Sequence, residues 1–298
     1  MLMSKITTLE IGGEAQDFKV VRTPQELLEL IKSNPDFLII GGGSNLLVSD
    51  EGVDCLVIKN EITGVESKGN IVTVKSGTPL QELVDYTVSH GLSGLQKLSG
   101  IPGTVGGAVY GNAGAYGQTI SDYLSEVVVF DGNKITTLTK SECGFNYRDS
   151  NFKRSKYIIL EASFLFESGN PEILKQEAQE TISKRLVKYP PGIKCPGSFF
   201  KNLVASEIPQ EILKNIPEDK IVYGKLPAGT LLEMVGARGQ SSDGIAIAPY
   251  HANLFINQGA GTAKAFYDLA KEYAQKVKDK FGITLEPEVQ LINLPPLV

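Results

Sequence analysis

The stretch Ser99-Gly100-Ile101-Pro102-Gly103-Thr104-Val105-Gly106-Gly107-Ala108, running on to Asn112-Ala113-Gly114-Ala115-Tyr116-Gly117, decides how this chain is read. It is dense in glycine and almost free of charge. Glycine frees the backbone for positive φ, so the stretch is expected to wind as a loop or short turns rather than as a regular helix. A backbone bare of side chains can bring N–H groups up to a phosphate without lysine. A second such stretch lies upstream, Gly41-Gly42-Gly43-Ser44-Asn45-Leu46-Leu47, directly after the apolar run Phe37–Ile40. Alone it reads equally well as a tight turn with no ligand, and it is not the G-x-G-x-x-G of a dinucleotide fold. Two uncharged glycine loops in one domain suit one long ligand with a diphosphate.

Working outward, Thr23-Pro24-Gln25-Glu26 predicts a capping box with proline at the first helical position, followed by an apolar stripe of Leu27, Leu28, Leu30 and Ile31. Strands are expected at Phe37–Ile40, Cys55–Ile58 and Ile71–Lys75. Thr78-Pro79-Leu80-Gln81 repeats the capping logic for a helix that stops at Gly91. Val127–Phe130, Asp131-Gly132-Asn133 and Lys134–Leu138 predict a β-hairpin, and Tyr157–Phe166 a strong strand. Composition then shifts at Ser168-Gly169-Asn170-Pro171. Asn170 is a candidate cap for a helix carrying Ile173, Leu174, Ala178, Ile182 and Leu186 inward, ending before Pro190-Pro191. A second long helix spans about 262–281, with Phe266, Leu269, Tyr273 and Val277 on one face and Gly282 beyond it. The expected division is a ligand-binding domain over 1–167, with subdomains of about 1–60 and 61–167, and a second α/β unit over 171–283. The last strand, about 283–292, and the C-terminal segment 284–298 that carries Glu288 could join either domain.

Bulk properties exclude several classes. The 298 residues give a large core, and the net charge of -5 offers no pull toward nucleic acid or anionic membrane. No signal peptide or transmembrane run is visible, and Cys55, Cys143 and Cys195 form neither a disulfide framework nor a zinc motif. With two histidines, no metal site is expected. A cytoplasmic monomer is the simplest expectation.

Three further blocks hold candidate chemistry. Phe145-Asn146-Tyr147-Arg148-Asp149-Ser150-Asn151-Phe152-Lys153 alone is a charged loop, and an Arg-Asp pair in a loop is ordinarily a weak solvated pair. Pro196-Gly197-Ser198-Phe199-Phe200-Lys201-Asn202 alone is a turn with a structural serine. Leu285-Glu286-Pro287-Glu288-Val289 alone is an acidic edge strand, with Glu286 and Glu288 on one face.

Together with the two glycine loops, these blocks resemble, in order and across nearly the whole chain, the UDP-N-acetylenolpyruvoylglucosamine reductases (the MurB family, shorter branch). The resemblance implies an α+β chain: an FAD-binding domain of the vanillyl-alcohol-oxidase type, built from two α/β subdomains, plus a C-terminal α/β substrate-binding domain. It implies noncovalent FAD held by Gly41, Gly42, Gly43, Ser44, Asn45 and Leu46 with Ser99, Gly100, Pro102, Gly103, Thr104, Gly106, Gly107, Asn112, Ala113, Gly114 and Ala115. NADPH is the implied reductant, and UDP-N-acetylglucosamine enolpyruvate the substrate. Arg148 matches the catalytic arginine of Y-R-x-S-x-F-K, Ser198 the proton donor of G-S-F-F-K-N, and Glu288 the terminal P-E-V glutamate. Tyr147, Lys201 and Asn202 are implied substrate contacts. For the substrate diphosphate, Lys184, Arg185, Lys188 and Lys194 all remain candidates. The implied reaction sends hydride from flavin N5 to the vinyl carbon, spreads charge into the carboxylate beside Arg148 and Glu288, and takes a proton from Ser198.

Two other readings stand beside this one. A sugar or alcohol oxidase could use the same FAD domain, although neither loop holds the histidine that tethers flavin in many of those. A non-catalytic nucleotide-binding protein would keep the loops but need not keep Arg148, Ser198 and Glu288 together.

Overall fold

A computed structural model describes residues 1–214 and 216–297 of the chain. The chain divides into two compact units that are not contiguous in sequence. One is Asp17–Gly42 with Cys55–Pro190, and the other is Met1–Gln16, Gly43–Asp54 and Pro191–Val298.

The first unit is built on a five-stranded antiparallel sheet in the order Ile135–Thr139, Leu124–Phe130, Ile158–Leu165, Ile71–Lys75 and Val65–Lys68. Val72, Val74, Val127, Val129, Ala162 and Phe164 alternate onto its buried face, as period-two strands require. They pack on Leu80, Leu83 and Val84 of the Leu80–Ser89 helix. A smaller sheet orders Ala15–Val21, Val53–Asn60 and Phe37–Ile40, the last two parallel. The Pro24–Ser33 helix covers it with Leu27 and Ile31, started by the full Thr23/Glu26 capping box.

The second unit centres on the Ala263–Phe281 helix, whose Phe266, Leu269, Tyr273 and Val277 are buried among Phe199, Phe200 and Phe255. Thr262 caps its start, and Gly282 ends it in the left-handed conformation, φ 70°. The Asp50 carboxylate also accepts from the Ala263 and Lys264 amides, at 2.8 and 2.9 Å. Gln290–Ile292 pairs in parallel with Leu46–Val48, and Leu9, Ile11 and Leu47 enter the same core. These contacts recruit the two N-terminal segments into the unit that holds residues 191–298.

Several local expectations are corrected. In the compact units, 1–16 and 43–54 group with the C-terminal part, and the Pro171–Lys188 helix with the first unit. That helix has the expected Asn170 cap and Pro171 start, but its stripe is narrower than predicted. Leu174 and Ala178 are buried, while Ile173 and Leu186 are exposed at 57% and 48%. Thr78 does not cap the Leu80–Ser89 helix, because its hydroxyl is exchanged with the backbone of Gly64. The expected strand at 283–292 contracts to Gln290–Ile292, with one isolated bridge at Pro287.

The glycine-rich stretch also contains a helix, Val105–Tyr110, with Thr104 accepting from the Gly107 amide. Glycine is needed there for close approach. A Cβ on Gly106 would lie 2.8 Å from the Ser76 Cβ and 2.9 Å from its carbonyl oxygen. Among the described residues, no helix is long and apolar enough to cross a membrane.

Candidate active site

In the first unit the two glycine segments meet backbone to backbone. A Cβ on Gly41 would fall 2.3 Å from Thr104 Oγ1, and one on Gly42 would fall 2.9 Å from the Gly103 Cα. Side chains are excluded because the loops already touch. Residues 103–106 are pinned from beneath: Leu80 N–H donates to Gly103, Val105 to Thr78 and Gly106 to Ser76, at 2.8–3.0 Å. The amides of Val105 and Gly106 are therefore committed within the protein, and Gly106 serves packing rather than ligand approach. Gly114 and Ala115 pair with Gln118 and Thr119 in a two-residue hairpin.

Three buried side-chain oxygens in this region have no hydrogen-bond partner: Ser99 Oγ, Asn112 Oδ1 and Gln118 Oε1. Buried oxygens are rarely left so. On or beside the glycine-rich segments of this unit, they can take the polar edge of a flavin nucleotide as their partner. The remaining first-loop residues, Gly43–Leu46, belong to the second unit. There Gly43 is held against Ile6, and a Cβ on it would meet the Ile6 carbonyl oxygen at 2.0 Å.

Arg148 is fastened to this region. Its guanidinium donates to the carbonyls of Gly114, at 2.5 Å, and Asn112, at 3.4 Å, and lies 5.3 Å from the centre of the Tyr147 ring. The Asn112 amide donates to Asn146 O at 2.8 Å. Asp149, the sequence neighbour, does not pair with Arg148. It takes Arg154 in a two-point pair at 2.8 and 2.7 Å. Tyr110 lies close by, its hydroxyl pKa pushed up by burial and secondarily by the Asp149 charge. Arg148 (φ 54°), Asn112 (φ 43°) and Tyr116 (φ 52°) all adopt the left-handed backbone that side chains disfavour. Such strain concentrates at functional positions.

The basic residues expected to meet the diphosphate separate. The Arg185 side chain lies against Gly100, where a Cβ would be 3.3 Å from its Cδ, and its guanidinium sits 5.1 Å from the Tyr189 ring. Lys184 lies on the exposed side of the same helical turn. Lys188 sits against Tyr189. Lys194, in the other unit, is ion-paired with Glu10 at 2.6 Å.

In the second unit, Ser198–Lys201 and Glu286–Glu288 are neighbouring extended segments. Glu288 N–H donates to Phe199 O at 2.7 Å, and Lys201 N–H to Glu286 O at 2.9 Å. Ser198 bridges Leu254 on the other side. Backbone pairing thus brings Ser198 and Glu288 side by side, both half-buried. Phe199 and Phe200 anchor the segment in an aromatic cluster with Phe255 and Phe266. Asn253, 2% exposed, clamps it further, with its side chain bonded to both N–H and C=O of Phe200 at 2.8 Å. Asn45 Nδ2 donates to Glu288 O at 3.1 Å. Glu286 and Glu288 do not act as a pair, because exposed Glu286 is bound to Lys201 at 3.1 Å. Asn202 Oδ1 accepts from Ala228 N and starts the Ala228–Met234 helix.

Reading the sequence missed Asn253, Gln118 and the side-chain role of Asn45. No local pattern marks Asn253 or Asn45, whose partners lie 53 and 243 positions away. Among the described residues, no group of three or more His, Cys, Asp or Glu side chains could hold a metal ion.

Comparisons with known proteins identify the family. A model of the FAD binding domain matches residues 20–136. A model of the UDP-N-acetylenolpyruvoylglucosamine reductase C-terminal domain matches residues 189–292. The chain is 39% identical to the UDP-N-acetylenolpyruvoylglucosamine reductase of Solibacter usitatus, over 98% of this chain and 95% of that one. It is 35% identical to the reductase of Thermotoga maritima, over 96% and 95%. The crystal structure of the Thermus caldophilus reductase superposes with a TM-score of 0.79 at 31% identity, covering 98% of this chain and 97% of that one. Full-length identity at this level, with both domain models in order, means that this chain belongs to the UDP-N-acetylenolpyruvoylglucosamine reductase family.

Proposed function

We propose that the chain catalyses NADPH-dependent, FAD-mediated reduction of UDP-N-acetylglucosamine enolpyruvate to UDP-N-acetylmuramate. This activity would supply a peptidoglycan precursor, and so serve cell shape and division, from a cytoplasmic monomer. The observation that carries the reading is the tether of Arg148 to the carbonyls of Asn112 and Gly114. It attaches the group suited to a substrate carboxylate to the loop suited to flavin.

FAD, when bound, would supply the hydride chemistry that links NADPH to the vinyl carbon of the substrate. The glycine segments hold it through backbone groups, with Ser99, Asn112 and Gln118 offering their unpartnered oxygens. A guanidinium has five N–H donors, so Arg148 can keep its two carbonyls and still grip a carboxylate at two points. It then holds the charge that builds as the vinyl carbon is reduced, and donors fixed in advance at such a point lower the barrier most. Glu288 contributes by orienting a donor toward that charge. Ser198 Oγ gives its proton to the carbon beside the carboxylate, with a neighbouring cation or a water relay replacing that proton. We assign Tyr147 and Arg185 to substrate binding, with Lys201 and Asn202 in support.

An anaerobic titration tests this. The purified protein should be yellow, be bleached by NADPH, and regain its colour on addition of the UDP-enolpyruvyl sugar. A colourless protein, or a bleached one that responds to oxygen but not to the sugar, refutes it.

A further inference from the structure

Arg148 occupies a position that a non-glycine residue rarely takes. Asn146 and Asp149 exchange backbone hydrogen bonds at 3.0 and 3.1 Å, closing a turn with Tyr147 and Arg148 at its tip. The tip residue with positive φ is normally glycine or asparagine. Here it is arginine at φ 54°. Something must hold that backbone. The guanidinium bonds to Gly114 and Asn112 fix the far end of the side chain, and the Asn112 amide fixes the turn's first residue. The carbonyl of Arg148 itself accepts from the Lys153 ammonium at 2.8 Å.

Lys153 is well placed for this. It ends the 3-10 turn Asn151–Lys153, whose Phe152 is buried against Phe145. Ser150, fully buried, donates from its hydroxyl to the Tyr110 carbonyl at 2.7 Å and fixes the base of the same segment. The half-buried ammonium lies 5.9 Å from the centre of the Tyr110 ring. A charged donor to a backbone carbonyl in such surroundings is stronger than a neutral one.

We infer that Lys153 is a positioning residue for Arg148: by holding the Arg148 carbonyl it maintains the left-handed turn that aims the guanidinium. This rests on the reading that Arg148 acts on the substrate carboxylate. It adds a residue that acts through Arg148.

Two double-mutant cycles with Arg148→Gly test it. Glycine accepts positive φ without help, so it removes the need for the latch along with the guanidinium. In the flavin-free protein, Lys153→Met should lower the melting temperature by about 2 °C, and by less than half of that loss in the Arg148→Gly background. In the flavin-loaded protein, Lys153→Met should slow reoxidation by the UDP-enolpyruvyl sugar roughly 10- to 100-fold, the scale of a small misplacement. It should leave reduction by NADPH unchanged and add nothing once Arg148→Gly is present. Lys153→Arg, which keeps a charged donor, should recover most of the rate. Lys153→Gln replaces Lys153→Met if the latter does not fold. Additivity in either cycle overturns the proposal, since Lys153 would then act independently of Arg148. A parent protein that the sugar fails to reoxidise overturns the assigned reaction instead, and the melting cycle still decides Lys153.

Discussion

Arg148 and Ser198 are held by opposite means. Arg148 stands at the tip of a turn with a strained backbone, kept there by polar bonds to Gly114, Asn112 and Lys153. Ser198 lies in an extended segment between two neighbours, anchored by the fully buried rings of Phe199 and Phe200 and by the Asn253 clamp. The first arrangement stores strain and depends on few bonds. The second is part of the core. Substitutions around Arg148 should therefore change rates with little loss of stability, and substitutions beneath Ser198 should change stability first.

The largest effect that would sharpen this contrast is at Ser198 itself. Ser198→Ala should leave flavin reduction by NADPH intact and slow reoxidation by the enolpyruvyl substrate by roughly 10³-fold, the scale of losing a positioned proton donor. Rapid-mixing measurement of the two half-reactions separates them, and equal damage to both removes Ser198 from the assigned role. Arg148→Lys comes next. A single ammonium cannot keep two carbonyls and a two-point carboxylate grip, so reoxidation should fall about 100-fold while the melting temperature barely moves. Near-normal turnover would break the account of Arg148.

Asn253→Ala tests the other side. It strands the N–H and C=O of buried Phe200 and should cost about 2 kcal/mol of stability, read by denaturant unfolding. A stable protein that lost only activity would erase the distinction between the two regions.

The smallest effect lies in the first unit. Burial, with a smaller push from Glu142, raises the Cys143 thiol to about 11 from an ordinary value of 9.0. The folded chain keeps the proton that the unfolded chain releases, so this stabilisation is present below about pH 9 and is lost as pH rises toward 11. Cys143→Ala should flatten the fall in melting temperature across that window. An unchanged slope would contradict the assignment.

Elements with local signals were legible. The Thr23 capping box, the Asp131-Gly132-Asn133 hairpin and the Thr262-to-Gly282 helix each carry their instructions within a few residues. The discontinuous units were not, because they depend on Leu46–Val48 finding Gln290–Ile292 and on Asp50 reaching Ala263. The Val105–Tyr110 helix was hidden by its glycines, of which Gly106 serves the contact with Ser76 rather than a loop. Among the proposed site residues, Arg148, Ser198 and Glu288 stood out by resemblance. What holds them did not, since Asn253, Asn45 and the carbonyls of Asn112 and Gly114 act across 34 to 243 positions of sequence. The apparent Arg148–Asp149 pair shows the limit plainly: adjacent in sequence, the two turn to different partners.

The most direct measurement is a structure of the protein with FAD and the UDP-enolpyruvyl sugar bound. Ser198 Oγ should lie about 3 Å from the carbon that is to be protonated, with the Arg148 guanidinium on the substrate carboxylate and Glu288 beside it. A bound substrate whose carboxylate is gripped by other residues, or whose acceptor carbon lies out of reach of Ser198, would contradict it.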